Sequence, residues 1–296
     1  MAVVLHSIWI SICVEKSKTE IESRRLWHRL NERFVKAMAT YHLIEDDDHI
    51  LVGLSGGKDS LLLLELLAKR SRIDHPRFKV EALHVRMENI HYETDTSYLQ
   101  AFCENLGVKL HVLTTSFEVI NEEAASNEIS NLRSASPLGS SKKPQSSKLK
   151  TQTSKLKRKQ KTPCFLCSWN RRKQMFNLAQ ELGCNKIALG HHQDDILHTA
   201  LMNLTFQGRF DTMPALLKMR KMPLSIIRPL CMIEEKDIKA YAALQGYQKQ
   251  QKLCPYETNS HRAEIKQLYE SIERMNPEAR YSMWNALNSD NKLIEE

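Results

Sequence analysis

Apolar residues recur at helical spacing through residues 20–40. Ile21, Leu26, Trp27, Leu30, Phe34, Ala37 and Met38 share one side, while Arg24, Arg25, Arg29, Arg33 and Lys36 lie largely elsewhere. That pattern predicts an amphipathic helix with a core stripe under a solvated basic face. A different signature follows. Residues 49–54 (HILVGL) are almost continuously apolar, as in a strand buried on both faces, and 59–70 (DSLLLLELLAKR) read as the helix behind it. The alternation then repeats. Strands are predicted over 79–85, 109–114, 186–189 and 224–227, helices over 94–106, 168–182 and 194–204, and two further helices over 234–244 and 262–274. Strands alternating with helices of this length predict an α/β fold, a doubly wound and mainly parallel sheet with an N-terminal helix and C-terminal helices. Ligands on such sheets bind beyond the carboxyl ends of the strands, so the segments that follow strands are where chemistry is expected.

The chain has 296 residues, 42% of them hydrophobic, which suits one domain of ordinary density with a small appendage. The apolar run at 2–14 is too short to cross a bilayer and lacks the basic flank of a signal peptide, so no membrane partner and a cytoplasmic location are expected. The formal net charge of +8 is unevenly placed. Residues 126–162 hold ten basic side chains against Glu128 alone, and the rest of the chain is close to neutral. This segment is rich in serine and has no aromatic residue, and it reads as a disordered basic insertion: either a tether for phosphate backbones or a tolerated surface insertion. The expected organisation is an N-terminal extension at 1–19, a first domain part at 20–125, the insertion at 126–162, the remainder of the domain at 163–273, and a C-terminal helix and tail at 274–296.

Between the first strand and its helix stands Ser55-Gly56-Gly57-Lys58-Asp59-Ser60. Paired glycines allow a tight turn, and the helix N-terminus and hydroxyls present donors to an anion. Lys58 is followed by Asp59 rather than by Ser or Thr, which rules out a Walker A loop. The string resembles the PP-loop of the N-type ATP pyrophosphatases, which cleave ATP between the α and β phosphates and transfer AMP to an oxygen. The resemblance implies ATP and Mg2+ as cofactors, with Lys58 offsetting charge on the departing pyrophosphate. Asp59 reads as a magnesium ligand or as a helix-capping carboxylate.

Seven cysteines, an odd number, point to metal or catalytic use rather than to a disulfide framework. Cys164 and Cys167 form a Cys-x-x-Cys followed by Arg171 and Arg172, and Cys254 lies far downstream. Such a pair admits zinc, an iron–sulfur cluster or a redox disulfide. Three thiols with no evident fourth favour a cluster with one open iron, and the nearby histidines keep zinc open. Cys13, Cys103, Cys184 and Cys231 read as small buried hydrophobes. After the strand at 186–189 comes Gly190-His191-His192-Gln193-Asp194-Asp195. Here Asp194 or Asp195 is expected to bind magnesium, orient a base or cap the next helix, and His191 and His192 to carry protons or contact adenine.

These motifs, in this order and together with Cys254 and Arg262, resemble the tRNA 2-thiocytidine biosynthesis family over roughly 24–273 apart from the insertion. The resemblance implies a PP-loop, adenine nucleotide alpha hydrolase-like and Rossmann-like architecture. It implies ATP-dependent thiolation of cytidine 32 in tRNA: the cytosine C2 oxygen is adenylated, and sulfur is delivered at a 4Fe-4S cluster. Carried over, Cys164, Cys167 and Cys254 hold the cluster. Ser55, Gly56, Gly57, Lys58, Asp59, Ser60 and His191 hold the nucleotide, and Lys58, Asp59, Asp194 and Asp195 are catalytic. The expected partners are tRNA and a sulfur donor of the cysteine desulfurase type, with a homodimer left open. RNA contact would fall to patches at 24–36, 171–173 and 218–221. Two departures stand out: the basic insertion is long, and one cysteine occupies the region of 254 where many members have a second. The rival readings are a cluster-independent PP-loop tRNA adenylase such as a lysidine synthetase, and a non-catalytic metal-stabilised nucleic-acid-binding module.

Overall fold

The structure, a computed structural model, describes residues 2–92, 94–116, 162–254 and 261–295, with side chains from Thr19 onward except at 252. The basic insertion expected at 126–162 lies outside the described residues except for Thr162. The first helix, α1 (Ala2–Thr40), runs through the segment expected to be a separate extension. Then follow β1 (Asp48–Gly53), α2 (Lys58–Arg70), β2 (Phe78–Met87), β3 (His91–Tyr92), α3 (Ser97–Asn105) and β4 (Lys109–Thr115). Beyond the insertion come α4 (Pro163–Glu181), β5 (Lys186–Ala188), α5 (Gln193–Gln207), β6 (Leu216–Lys218) and β7 (Ser225–Ile227). The chain closes with α6 (Glu235–Leu244), β8 (Lys252–Leu253), α7 (His261–Met275), α8 (Ala279–Ser289) and β9 (Ile294–Glu295). No helix among the described residues is long and apolar enough to cross a membrane.

Seven strands form one sheet in the order β4-β2-β1-β5-β7-β6-β9. The expected parallel pairing holds from β4 to β7, whereas β6 runs antiparallel to β7. The central strand β1 alternates its side chains between two cores, which is why its sequence is apolar throughout. Ile50 and Val52 enter the larger core with α1 and α2, while Leu51 enters the smaller one beneath α4, with Leu83, Leu178 and Ile187. Helix α2 is buried from Ser60 through Ala68, so its leucines read as a run rather than as a stripe.

The basic face of α1 is largely exposed, as expected, with Arg24, Arg25, Arg29 and Lys36 in solvent, but part of it is also ion-paired. Arg29 reaches Asp237 at 2.8 Å and Arg33 reaches Glu234 at 2.9 Å, which ties α1 to the start of α6. Arg24 pairs with Glu20 one turn away, in solvent. Two strands were too short to show in the sequence: β3 and β8 pair antiparallel, with His91 opposite Leu253 and Tyr92 opposite Lys252. This two-residue ribbon decides where the third candidate cysteine lies.

Candidate active site

The loop at 55–60 turns at the carboxyl end of β1, where the connections to β2 and to β5 leave in opposite directions. Gly56 has φ +80°, and a Cβ there would stand 2.5 Å from the Cβ of Gln250. Both facts require glycine. Ser60 Oγ–H donates to the Gly57 carbonyl at 2.9 Å, and the Gly57 N–H donates to Ser55 Oγ at 3.3 Å. Ser55 and Ser60 meet at 3.1 Å, so the two hydroxyls lock the turn. Lys58 opens α2, with its Nζ 3.0 Å from Asp59 Oδ1 and 3.3 Å from Glu235 Oε1. Burial alone would lower the ammonium's pKa, but the two carboxylates hold it above its ordinary value. Asp59 Oδ1 is buried, and its contact with the Lys58 ammonium is an ion pair without hydrogen-bond geometry, which leaves it a carboxylate oxygen of the kind a magnesium ion takes.

The segment after β5 packs directly on this helix start. A Cβ at Gly190 would lie 3.1 Å from both the Asp59 carbonyl carbon and the Ser60 nitrogen, and backbone atoms cannot swing aside as a side chain can. Gly190→Ala is therefore expected to displace the loop and cut ATP turnover by roughly 10-fold to 100-fold. Steady-state AMP release checks this, and an unchanged rate would mean that the contact yields freely.

His192 is the N-cap of α5. Its Nδ1 accepts the Asp195 N–H at 3.4 Å while Asp195 Oδ2 accepts the His192 N–H at 3.1 Å, a reciprocal capping box. With Nδ1 accepting, the proton sits on Nε2, which faces Asp59 Oδ1 at 3.8 Å. Asp194 points elsewhere. Its oxygens take Arg280 at 2.8 Å and the Glu235 N–H at 2.7 Å, so it anchors α6 beside Lys58. Burial raises the Asp194 pKa, and these two donors more than reverse the effect. Burial, followed by the nearby Arg228 and Arg262, drives His191 down to about 3, so its imidazole is neutral at ordinary pH. Its Nδ1 is buried without a partner. A cavity of about 270 Å3 lies here, lined among others by His191, His192, Asp195, Glu235, Arg262 and Lys266.

Sequence reasoning missed Glu235, which had no visible tie to the loop at 55–60. Lys266 at 2.9 Å, Lys239 at 3.1 Å and Lys58 surround it. Burial opposes its ionisation, but the three lysines still bring it down to about 2. His84 was also missed. It is 2% exposed and its Nδ1–H donates to the Leu54 carbonyl at 2.7 Å, immediately before the loop, leaving Nε2 buried and unpaired.

Thr162 caps α4 by accepting the Phe165 N–H, and Pro163 fills the first turn, so Cys164 and Cys167 stand at the helix N-terminus. Cys167 and Cys254 pack against one small apolar patch formed by Met87 and Ile90, with Cys164 one helical turn before Cys167 and exposed. Cys254 arrives there because β8 pairs with β3. Gln250 holds the other end of that segment. Its N–H donates to the Gly56 carbonyl at 2.9 Å, and its amide donates to Thr94 and Asp95 carbonyls at 2.9 and 3.1 Å. The same five residues thus touch the anion loop and carry the third thiol. Arg171 donates to the Tyr92 hydroxyl at 2.9 Å, and Arg86 lies over the Tyr92 ring, setting two cations near the thiols. Cys103, Cys184 and Cys231 are buried as expected, and burial pushes their thiols up to about 11, 11 and 12. Among the described residues no three His, Cys, Asp or Glu side chains form a single-ion site. Cys164 and Cys167 at a helix N-terminus, with Cys254 packed on the same patch as Cys167 and arginines nearby, are partly accessible thiols in a setting that favours the thiolate.

The PP-loop domain family matches residues 26–133 and 168–263. A tRNA-cytidine(32) 2-sulfurtransferase of Marinomonas sp. (strain MWYL1) is 31% identical over 273 residues, covering 92% of this chain and 86% of that one. Its counterpart from Verminephrobacter eiseniae (strain EF01-2) is 32% identical, covering 92% of this chain and 75% of the other. Among solved structures, the U34-tRNA thiolase NcsA from Methanococcus maripaludis with its 4Fe-4S cluster superposes with a TM-score of 0.62 at 21% identity. That likeness covers 90% of this chain and 79% of the other, and it shows a shared fold.

Proposed function

Because the chain belongs to the PP-loop domain family and, within it, to the tRNA-cytidine(32) 2-sulfurtransferases, we propose that it thiolates cytidine 32 of tRNA at the expense of ATP. The observation that carries this reading is the segment 250–254, which joins the loop at 55–60 to the cysteine patch. A cluster-independent adenylase has no use for that coupling.

The chemistry divides between the two ends. The cytosine C2 oxygen attacks the α phosphorus of ATP, the bond to the β-phosphate oxygen breaks, and pyrophosphate leaves. Charge accumulates on the pyrophosphate in the transition state. Lys58, already oriented by Asp59 and Glu235, lies where it offsets that charge. The amide-rich turn at Gly56 and Gly57 seats the phosphates, and Asp59 with the open oxygen of Asp195 would hold magnesium. Neutral His191 serves as a hydrogen-bonding group for the nucleotide and carries no charge of its own. We assign Asp194 a positioning role, holding α6 and hence Glu235 against Lys58. Adenylation converts a poor leaving group into a phosphate ester, so sulfur entering at C2 expels AMP.

Cys164, Cys167 and Cys254 would hold a 4Fe-4S cluster, which when bound supplies an iron with an open position for sulfide. Around it, Arg171, Arg86 and Tyr92 orient the thiol-bearing helix and keep it electropositive. A cysteine desulfurase system is the expected source of sulfur, and the parts at 20–125 and 163–273 act as one catalytic domain.

Iron and acid-labile sulfide analysis of protein purified without oxygen, beside Cys254→Ala, tests the reading. About four irons per chain are expected, lost in the variant together with ATP-dependent thiolation of tRNA. Colourless protein with stoichiometric zinc would overturn it.

A further inference from the structure

Arg228 follows β7 at the carboxyl edge of the sheet, next to the Gly190–His191 turn, since the Leu189 N–H donates to the Ile227 carbonyl at 3.0 Å. It is 7% exposed. One Nη donates to the Pro214 carbonyl, Nε has no acceptor, and no carboxylate among the described residues pairs with it. Two more guanidiniums approach the same turn. Arg262, in the first turn of α7, shares the cavity wall with His191. Arg172, on α4 five residues past Cys167, is near enough to weigh electrostatically on both His191 and Arg228. Among the described residues neither Arg172 nor Arg262 makes an ion pair or hydrogen bond.

The acids nearby have other partners, cations or backbone, with Asp195 engaged through one oxygen. Glu235 faces three lysines, Asp194 takes Arg280, and Asp195 closes the cap of α5. Three guanidiniums therefore lie near a neutral imidazole with no paired carboxylate among the described residues. Burying an uncompensated cation is unfavourable, and a second cation beside it makes matters worse. Burial, followed by Arg172, accordingly lowers the Arg228 pKa to about 10. A fold that keeps such a group needs an anion from outside. Guanidinium is the side chain that grips phosphate through two parallel hydrogen bonds.

We propose that Arg172, Arg228 and Arg262 form a phosphate subsite that seats a backbone phosphodiester of the RNA substrate beside its reacting nucleotide, a proposal that rests on the tRNA-thiolation reading. The nucleotide already has its own anion seat, in the Gly56–Gly57 turn and Lys58. Arg172, by contrast, is carried by the helix that bears the cysteines, on the other face of the sheet from α2. The three arginines thus lie where a polymer must be held for its base to reach both ends of the crevice.

The test measures the affinity of a tRNA transcript carrying cytidine at position 32, at several salt concentrations, and separately the affinity for ATP. The variants are R172Q, R262Q and R228Q. Each is expected to weaken tRNA binding roughly tenfold and to lower the slope of log affinity against log salt by about 1, with ATP affinity unchanged. If R228Q does not fold, R172Q and R262Q carry the test, both side chains being exposed. Unchanged tRNA affinity and slope would overturn the subsite, as would a loss confined to ATP, which would give the arginines to the nucleotide. Wild-type protein that binds no tRNA would instead bring down the functional reading, and the subsite with it.

Discussion

Lys58→Ala lowers the rate of ATP-dependent thiolation by a factor of roughly 10²–10³ while leaving the protein folded, in the expected outcome. The ammonium sits at the start of α2, half-buried, with its charge reinforced by Asp59 and Glu235. Removing it deletes the cation that opposes charge growing on the departing pyrophosphate, and that charge is largest in the transition state. The loss should therefore fall mainly on kcat rather than on KM. Glu235 keeps Lys266 and Lys239 as partners, and Asp59, which loses its ammonium, keeps part of its side chain in solvent, so the melting temperature should fall only modestly. Single-turnover measurement of AMP release separates the cases. A variant that binds ATP poorly but turns over normally at saturation would show that Lys58 serves ground-state binding alone.

Asp48→Ala is expected to destabilise the fold by about 3–5 kcal/mol, an effect on stability with the site left intact. Asp48 begins β1 at the end of the sheet opposite the loop and is 3% exposed. Its carboxylate accepts from Lys186 Nζ at 2.7 Å, the Glu45 N–H at 2.6 Å and Asn185 Nδ2 at 2.7 Å. In the variant the buried Lys186 ammonium keeps only the Leu43 carbonyl, at 2.9 Å, as partner. An unpaired buried cation is what makes such substitutions costly, so D48A/K186M should recover much of the loss. Urea unfolding midpoints at unchanged slope check both variants. A double variant no more stable than D48A would place the cost in the Glu45 and Asn185 hydrogen bonds instead.

How much of this was legible in the sequence varies with the range of the contact. The strand, loop and helix from 48 to 70 were readable because their determinants are local. The apolar run of β1, the glycines of the turn and the leucines of α2 all act within a few residues. The capping role of Asp195 was one of two readings of the Gly190–Asp195 string, and the structure assigns it through the His192 cap. Asp194, its neighbour, was expected to be catalytic, as a magnesium ligand or a group orienting the base, and its ties to Arg280 and the Glu235 N–H were not legible because they lie 86 and 41 residues away. The ion-paired part of the solvated basic face of α1, Arg29 and Arg33, was not legible for the same reason. Its counter-charges belong to α6, some 200 residues on, and a helical wheel cannot show a distant acid.

The sequence by itself determined the parallel α/β sheet, the anion loop at the end of β1, and the separation of Cys164, Cys167 and Cys254 from Cys103, Cys184 and Cys231, which are buried. Each is written in spacing or in local polarity, and each would read the same in isolation. Only the tertiary structure decided that these parts work together. A two-residue ribbon between β3 and β8, too short to leave a periodic signal, sets Cys254 beside Cys167 and Gln250 against Gly56. Packing of α6 on α2 brings Glu235 to Lys58, and the neighbouring ends of β5 and β7 set Arg228 beside His191. Such contacts depend on the fold having already closed loops of tens to hundreds of residues, and no local pattern encodes them.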